Sequence, residues 1–254
     1  MRLSHVFISR PQREAEELAA MLAPLGLETV VQPAFDYVTL DARQDDPEAF
    51  AEFESAGTGD LAVFTSPRAV AHGLAQLPRE VLLRLQVAAI GPATASALAA
   101  AGIGVDVTSA GGFTSEDLLG SLDPLPPAAA GLQRRAFVLA APGGRQALIE
   151  GLGKRGWRAR SLLVYRSEPV TLDREALKLL DDATAVLAVW TSGNALNALA
   201  QRLPPATWFR LCQGEWLVIS ERLRRLARAY GPSRIHLAGG PGNGAIVTTI
   251  RGLL

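Results

Sequence analysis

The sequence predicts an α/β protein made of two similar parallel-sheet domains joined by a two-stranded linker. Three observations carry that expectation. Apolar strand runs alternate with helical runs along almost the whole chain, one stretch recurs near half the chain length, and two polar or Pro-marked stretches interrupt the alternation. A chain of 254 residues holds either one large domain or two of ordinary size, and the recurrence favours two.

The alternation begins with a short apolar strand at 5–9. A helix at 12–25 follows, with Ala15, Leu18, Ala19 and Leu22 on one face and Gly26 as its stop. A strand at 28–32 completes the first strand-helix-strand unit. Next come a strand at 61–65 with a helix at 68–76, and a strand at 87–90 with an Ala-rich helix at 93–101 that ends at Gly102. A strand at 105–108 pairs with a helix at 115–122, after which Pro124 to Gly131 reads as a loop within a domain. The strand 137–140, helix 145–155 and strand 159–163 repeat the opening scheme. The strand 186–190 with its helix, the strand 217–219 with helix 221–230, and the strand 235–237 with helix 245–253 finish the chain. Strands this apolar, spaced by helices, belong to parallel sheets covered on both faces, flavodoxin-like or Rossmann-like in kind.

The recurrence is in the residues themselves. Ala62-Val63-Phe64-Thr65-Ser66-Pro67-Arg68-Ala69 returns as Ala188-Val189-Trp190-Thr191-Ser192-Gly193-Asn194-Ala195. Leu74-Ala75-Gln76-Leu77-Pro78 returns as Leu199-Ala200-Gln201-Arg202-Leu203-Pro204. Val6-Phe7-Ile8-Ser9 resembles Phe137-Val138-Leu139-Ala140, and Val87-Ala88-Ala89-Ile90 resembles Leu217-Val218-Ile219-Ser220. The similar offsets keep the same order, which a chance likeness of apolar strands does not. Each octapeptide is a strand running into a hydroxyl-bearing turn and a helix, so two matched polar loops lining a cleft are expected.

Pro33-Ala34-Phe35-Asp36-Tyr37-Val38-Thr39-Leu40 and Val164-Tyr165-Arg166-Ser167-Glu168-Pro169 follow the two strand-helix-strand units. Read as crossovers, they make the first domain discontinuous, from residues 1–36 and 169–254. The second domain is 37–168, with linker strands near 33–40 and 163–169. Two linkers restrain a hinge yet permit opening and closing.

Composition excludes several classes of chemistry. The 25 basic and 25 acidic residues cancel, so no global field points to nucleic acid or an anionic membrane. Lys154 and Lys178 are the only lysines; arginine forks suit carboxylate or phosphate ligands, although a GC-rich genome explains most of such a bias. Cys212 is the single cysteine, and His5, His72 and His236 show no ligand spacing, so neither a disulfide nor a zinc cluster is expected. The run Gly240-Pro241-Gly242-Asn243-Gly244-Ala245 matches a dinucleotide fingerprint but is followed by no second strand or ribose-binding acid. Neither Ser66 nor Ser192 sits in a nucleophile elbow. The expectation is a cytoplasmic protein without a leader or membrane span, acting by positioning and electrostatics without cofactor or metal.

In parallel sheets the loops after the strands gather at one edge, where ligands bind. Here they are Ser9-Arg10-Pro11, Thr65-Ser66-Pro67-Arg68, Gly91-Pro92-Ala93-Thr94, Gly111-Gly112-Phe113-Thr114-Ser115, Pro142-Gly143-Gly144-Arg145, Thr191-Ser192-Gly193-Asn194, Ser220-Glu221-Arg222 and 239–244. Any one of them is explained by helix capping. Eight together offer amides, dipoles and arginines to a ligand with several carboxylates or phosphates. Tyr165, on the returning linker, either packs there or donates a hydrogen bond to a leaving group; the residues alone leave both open.

Over essentially its full length the chain resembles the uroporphyrinogen-III synthases. The resemblance rests on Ile8-Ser9-Arg10-Pro11, Phe64-Thr65-Ser66-Pro67-Arg68-Ala69-Val70, Ala89-Ile90-Gly91-Pro92-Ala93-Thr94-Ala95, Val164-Tyr165-Arg166 and Thr191-Ser192. It implies cofactor-free closure of hydroxymethylbilane, a linear tetrapyrrole with eight carboxylates, with loss of water and inversion of ring D through a spirocyclic intermediate. It also implies that Tyr165 assists departure of the hydroxyl, and that Ser66, Arg68, Thr94 and Ser192 contact substrate, with Thr65 in the same turn. Arg10 and the amides near Ser220 are weaker matches, and the Ile219-Ser220-Glu221-Arg222 loop departs from the family in lacking the Gly-Pro-x-Thr form of its counterpart at Ile90. The partner expected is the small-molecule substrate, with no nucleic acid or membrane. A monomer is expected, in transient contact with the preceding enzyme of the pathway. The rival readings are a hinged two-domain protein that binds small anions without catalysis, and a nucleotide-dependent enzyme.

Overall fold

The computed structural model describes residues 3–109, 111, 114–122, 134–144, 146–181 and 183–254. The Pro-rich loop at 124–131, Arg145, and Gly112 with Phe113 of the 111–115 loop lie outside the described residues.

From the amino end, β1 (His5–Ile8), α1 (Gln12–Leu22) and β2 (Glu28–Val31) form a strand-helix-strand unit, with a 3-10 turn at Ala23–Leu25 closing the helix. Strand β3 (Phe35–Thr39) leads to α2 (Ala42–Asp45) and α3 (Pro47–Glu54). There follow β4 (Leu61–Phe64), α4 (Pro67–Leu74), α5 (Arg79–Leu82), β5 (Gln86–Ala89), α6 (Pro92–Ala100), β6 (Val107–Thr108) and α7 (Ser115–Ser121). The second strand-helix-strand unit is β7 (Arg135–Ala140), α8 (Gln146–Lys154) and β8 (Arg158–Leu163), succeeded by β9 (Tyr165–Pro169) and α9 (Arg174–Lys178). The chain ends with β10 (Val186–Trp190), α10 (Gly193–Arg202), α11 (Pro205–Gln213), β11 (Glu215–Val218), α12 (Glu221–Arg228), β12 (Arg234–Leu237) and α13 (Asn243–Arg251).

Two compact units result, Met1–Tyr37 with Glu168–Leu254, and Val38–Ser167. Strands β3 and β9, in which the boundaries fall, pair as a two-stranded sheet. The first unit holds a five-stranded sheet ordered β12-β11-β10-β1-β2, the second one ordered β6-β5-β4-β7-β8. Their strands pair in parallel, with registers such as Phe7 opposite Ala188 and Val63 opposite Val138. The α/β expectation with parallel sheets therefore holds.

Burial explains why these runs form such sheets. Residues of β4 and β10 are buried throughout, as strands covered on both faces must be. Alternate side chains feed opposite faces. In the first unit Phe7, Trp190 and Trp216 enter one core, while Val6, Ile8, Leu187 and Leu217 meet Leu18 of α1 and Ile246 of α13 in another. In the second unit Phe64, Phe137 and Leu139 face one way, and Leu61, Val63 and Val138 pack on Leu148 and Leu152 of α8.

The sheet orders give the sequence repeat a topological meaning. Superposing the two orders places β1 on β7, β2 on β8, β4 on β10, β5 on β11 and β6 on β12. Three of these pairs, β1 with β7, β4 with β10 and β5 with β11, are the strands that echo one another in sequence. Each unit is assembled from β-strands of both copies, two from one and three from the other, so the repeat and the compact unit are different divisions of the chain.

Helices α2, α3, α5, α9 and α11 occupy stretches to which the sequence reading gives no helix. Helices α2, α5 and α9, at four or five residues, are too short for apolar periodicity to show, whereas α3 and α11, at eight and nine, are as long as α4 and α13 and equally open to detection. Their start signals are nonetheless present: Asp46 Oδ1 accepts the Ala49 N–H at 2.9 Å with Pro47 in the first turn, and Asp173 caps α9.

Gly214, between α11 and β11, has no room for a side chain. A Cβ there would lie 2.5 Å from the Val186 carbonyl oxygen and 3.4 Å from that of Leu211. Its own carbonyl accepts hydrogen bonds from the Ser233 N–H and hydroxyl, so the backbone has little freedom to retreat. Gly214→Ala should cost about 2–3 kcal/mol of stability, read as a lowered urea midpoint. Gly151→Ala, which would meet the movable tip of Leu119 at 2.2 Å, should cost less. Equal losses in the two variants would count against the backbone clash.

Candidate active site

Each unit has its candidate residues at the carboxyl edge of its sheet, and most are helix starts. In the second unit β4 delivers Thr65 and Ser66. Ser66 caps α4, its Oγ accepting the Ala69 N–H at 3.1 Å, and so keeps its own proton for donation. The Tyr165 hydroxyl, from β9, lies 3.3 Å from Ser66 Oγ. Against one face of the Tyr165 ring lies the His72 imidazole, with centroids 5.2 Å apart and planes 19° from parallel.

The threonines of the edge do something else. Thr65 is 8% exposed and donates to the Leu139 carbonyl at 2.8 Å, which staples the end of β4 to β7. Thr94 is 1% exposed and donates to Ile90 O at 3.0 Å, inside the first turn of α6. Both hydroxyl protons are committed to the protein. Helix α6 starts at Gly91, whose φ of 84° places it in the left-handed region that favours glycine, and no side chain caps it. Among the described residues its first-turn amides, those of Ala93 and Thr94, have no side-chain cap, and the positive end of the helix dipole favours an anion there.

The first unit repeats the pattern. Ser192 caps α10 and Ser220 caps α12, accepting the Ala195 and Leu223 N–H groups at 3.4 and 3.2 Å. Ser9 is buried and donates to Val189 O at 2.9 Å, stapling β1 to β10 as Thr65 staples β4 to β7. These stapled pairs sit where each strand order reverses, the place at which doubly wound sheets bind ligands. Arg10 donates to Pro241 O at 2.8 Å, joining the first loop to the Gly-rich run.

Within the second unit the structure thus brings Ser66 and Tyr165 together and adds His72, to which no motif pointed. Much of the arginine excess is structural. Arg135 grips Asp60 at 2.7 Å, Arg160 bonds Glu52 and Glu48, and Arg202 and Arg210 donate to backbone carbonyls. Burial pushes the Cys212 thiol up, away from the thiolate form that attacks carbon. Among the described residues no group of three His, Cys, Asp or Glu side chains is arranged to hold a metal ion, and no helix is long and apolar enough to cross a membrane. A cavity of about 590 Å³ in the first unit, lined by Leu3, Val186 and Glu215, opens at the amino ends of β1, β10 and β11, the edge opposite the candidate residues.

The chain is similar to known proteins over nearly its whole length. Uroporphyrinogen-III synthase of Salmonella typhimurium is 29% identical to the chain, covering 97% of it and 99% of its own length. That of Escherichia coli is 28% identical over the same shares. Among solved structures, a uroporphyrinogen-III synthetase from Helicobacter pylori has a TM-score of 0.61 at 16% identity, with 100% of both chains covered. A mutant uroporphyrinogen III synthase from Thermus thermophilus has a TM-score of 0.56 at 21% identity, with 98% of both chains covered. These two likenesses speak for the fold. The family model described as Uroporphyrinogen-III synthase HemD matches residues 16–248, and with nine-tenths of its length so matched the chain belongs to the uroporphyrinogen-III synthase family.

Proposed function

We propose that the chain performs the reaction of its family by conformational control of a reactive cation. That reaction closes hydroxymethylbilane to uroporphyrinogen III in tetrapyrrole biosynthesis, with loss of water and inversion of ring D. The observation that carries the mechanism is the Tyr165 hydroxyl, 3.3 Å from Ser66 Oγ at the carboxyl edge of the second sheet.

The substrate's carboxylates need many donors. The N-termini of α4 and α6 in one unit, and of α10 and α12 in the other, supply N–H groups and positive dipole ends. Ser66, Ser192 and Ser220 add hydroxyl protons; Arg10 and Arg68 add charge. Thr94 contributes through its backbone N–H, because its hydroxyl proton is turned to Ile90. Thr65 shapes the turn by its bond to Leu139.

With the chain so held, the bond from the terminal methylene to its hydroxyl breaks. The oxygen takes up a proton from solvent and leaves as water, with the Tyr165 O–H donating a hydrogen bond to it as it departs; one proton is given back when the ring carbon that forms the closing bond loses its hydrogen. The azafulvene cation left behind is attacked by the substituted carbon of ring D, giving the spirocyclic intermediate. The original bond from that carbon to the methylene of ring C then breaks, and the freed methylene bonds the unsubstituted carbon of ring D, which leaves ring D inverted. Uncatalysed closure yields the non-inverted isomer, so the protein's contribution is chiefly geometric. No nucleophile-base pair is required.

Freshly prepared hydroxymethylbilane given to the purified protein should yield isomer III. Isomer I alone would overturn the mechanism, and binding without turnover would point to an anion-binding protein. The protein acts in this reading as a cytoplasmic monomer that meets the preceding enzyme transiently; light scattering should return the mass of a single 26.9 kDa chain.

A further inference from the structure

His72 has no part in the reaction as described, yet its placement is specific. It stands in the last turn of α4, the helix that Ser66 caps, and its ring lies nearly flat on Tyr165. The Thr39 hydroxyl oxygen is 2.7 Å from His72 Nδ1, which fixes the rotation of the imidazole. Gln76 braces the same assembly. Its Nε2 donates to the carbonyls of His72 and Val164, at 3.1 and 3.2 Å, and its Oε1 accepts the Ala42 N–H at 2.7 Å. The residue preceding Tyr165 and the residue stacked on it are therefore tied to one side chain.

We propose that His72, oriented by Thr39, is a positioning residue for Tyr165, a flat support that holds the phenol ring so that its O–H meets the departing hydroxyl. The inference rests on the role of Tyr165 given above. The physical reason is that a contact of 3.3 Å from hydroxyl to hydroxyl is a weak restraint on a ring that turns about two torsions. The Tyr165 ring also packs on the core of the second unit, and a parallel ring against one face adds to that restraint. Misplacing a reacting group by about 1 Å costs up to about a hundredfold in rate, so a support of this kind has a kinetic consequence although it touches no substrate. An ordinary surface histidine at a helix end, favourable to the helix dipole, requires neither the parallel stack nor the Thr39 contact.

The test separates position from chemistry. The chain has three tyrosines, so selective ring labelling gives a short NMR spectrum in which Tyr165 is assigned by its loss in Tyr165→Phe. His72→Ala should shift the Tyr165 ring resonances, because a stacked imidazole shields them, and should lower kcat about tenfold with KM within about twofold. His72→Phe, which keeps a stacked ring, should restore most of both. In a Tyr165→Phe background, His72→Ala should change kcat by less than about twofold, as expected when two residues act as one unit. Unmoved Tyr165 resonances in His72→Ala overturn the proposal, as does the same loss of kcat in both backgrounds. If the resonances move while Tyr165→Phe leaves the rate unchanged, the role of Tyr165 falls, and a catalytic role for the stack falls with it.

Discussion

Tyr165→Phe should lower kcat by about 30–100-fold, some 2–2.7 kcal/mol of barrier, with KM within about twofold and measurable activity remaining. The substitution removes one oxygen and leaves the ring in place against His72. Ser66 keeps its bond to the Ala69 N–H, so the cap of α4 survives. The lost hydroxyl contact is long, and its net worth to stability is at most about 1 kcal/mol. Folding is thus nearly untouched, and the effect falls on the departure of water. In the proposed mechanism departure is assisted by one donor, and the carboxylate sites should still hold the substrate chain folded, hence the expected residual rate. Product identity adds a second readout. Turnover by the variant should still form isomer III, with isomer I growing only as spontaneous closure competes. An unchanged kcat would remove Tyr165 from the mechanism; a switch of the enzymatic product to isomer I would mean that it governs folding of the substrate instead.

The alternation of apolar strands and helices was legible because parallel strands buried on both faces admit little but Val, Leu, Ile, Ala and aromatics, as β4 and β10 show. The carboxyl ends of strands were legible to one residue and their starts to two, as at Val107, Arg135 and Glu215. Ser9, Gln32, Thr65 and Ile90 read as strand and lie one residue past it, and the Gln32 and Ile90 N–H groups still bond to the neighbouring strand. Helices α2, α5 and α9 were not legible by periodicity, since about one turn does not repeat a face; α3 and α11 were legible only through their Pro-marked starts, Asp46-Pro47 and Pro204-Pro205. The repeat was visible as residues, but its division between two sheets depends on strand order, which no local pattern encodes. The candidate residues divide in the same way. Ser66, Ser192 and Ser220 stand at helix starts, as capping chemistry predicts. That Thr65 and Thr94 turn their protons inward is a matter of which carbonyl lies within reach, Leu139 in one case and Ile90 in the other. The meeting of Thr39, His72 and Tyr165 comes from two linker strands and one helix far apart in sequence, and a lone histidine in an Ala-Val-Ala-His run announces none of it.

Trp190→Ala should destabilise the first unit by about 3–5 kcal/mol. The Trp190 side chain is fully buried, and β10 lies between β1 and β11 in the sheet. Its ring meets Phe7 at 5.6 Å, Trp216 at 5.2 Å and Trp208 at 6.1 Å between centroids. Trp208 and Trp216 in turn pack on each other and on Tyr230, so the cluster is a lattice of rings that share edges. Rigid rings cannot flow into the space a missing indole leaves. Strand β10 is held by parallel pairing on both sides and cannot collapse inward either. The cavity term should therefore stand near its full size, a large share of the roughly 5–15 kcal/mol that stabilises a domain. Trp190→Phe should cost only about 1–2 kcal/mol, since it keeps a ring and gives up an indole N–H that is buried without a hydrogen-bond acceptor among the described residues. Three of the four tryptophans, Trp190, Trp208 and Trp216, belong to the first unit, with Trp157 in the second. Intrinsic fluorescence thus reports on the first unit while circular dichroism reports on both. In urea, Trp190→Ala should bring the fluorescence transition down by about 1.5–3 M, and ahead of the dichroism transition. A loss below about 1 kcal/mol would show that the ring lattice repacks, and coincident transitions would show that the two units unfold as one.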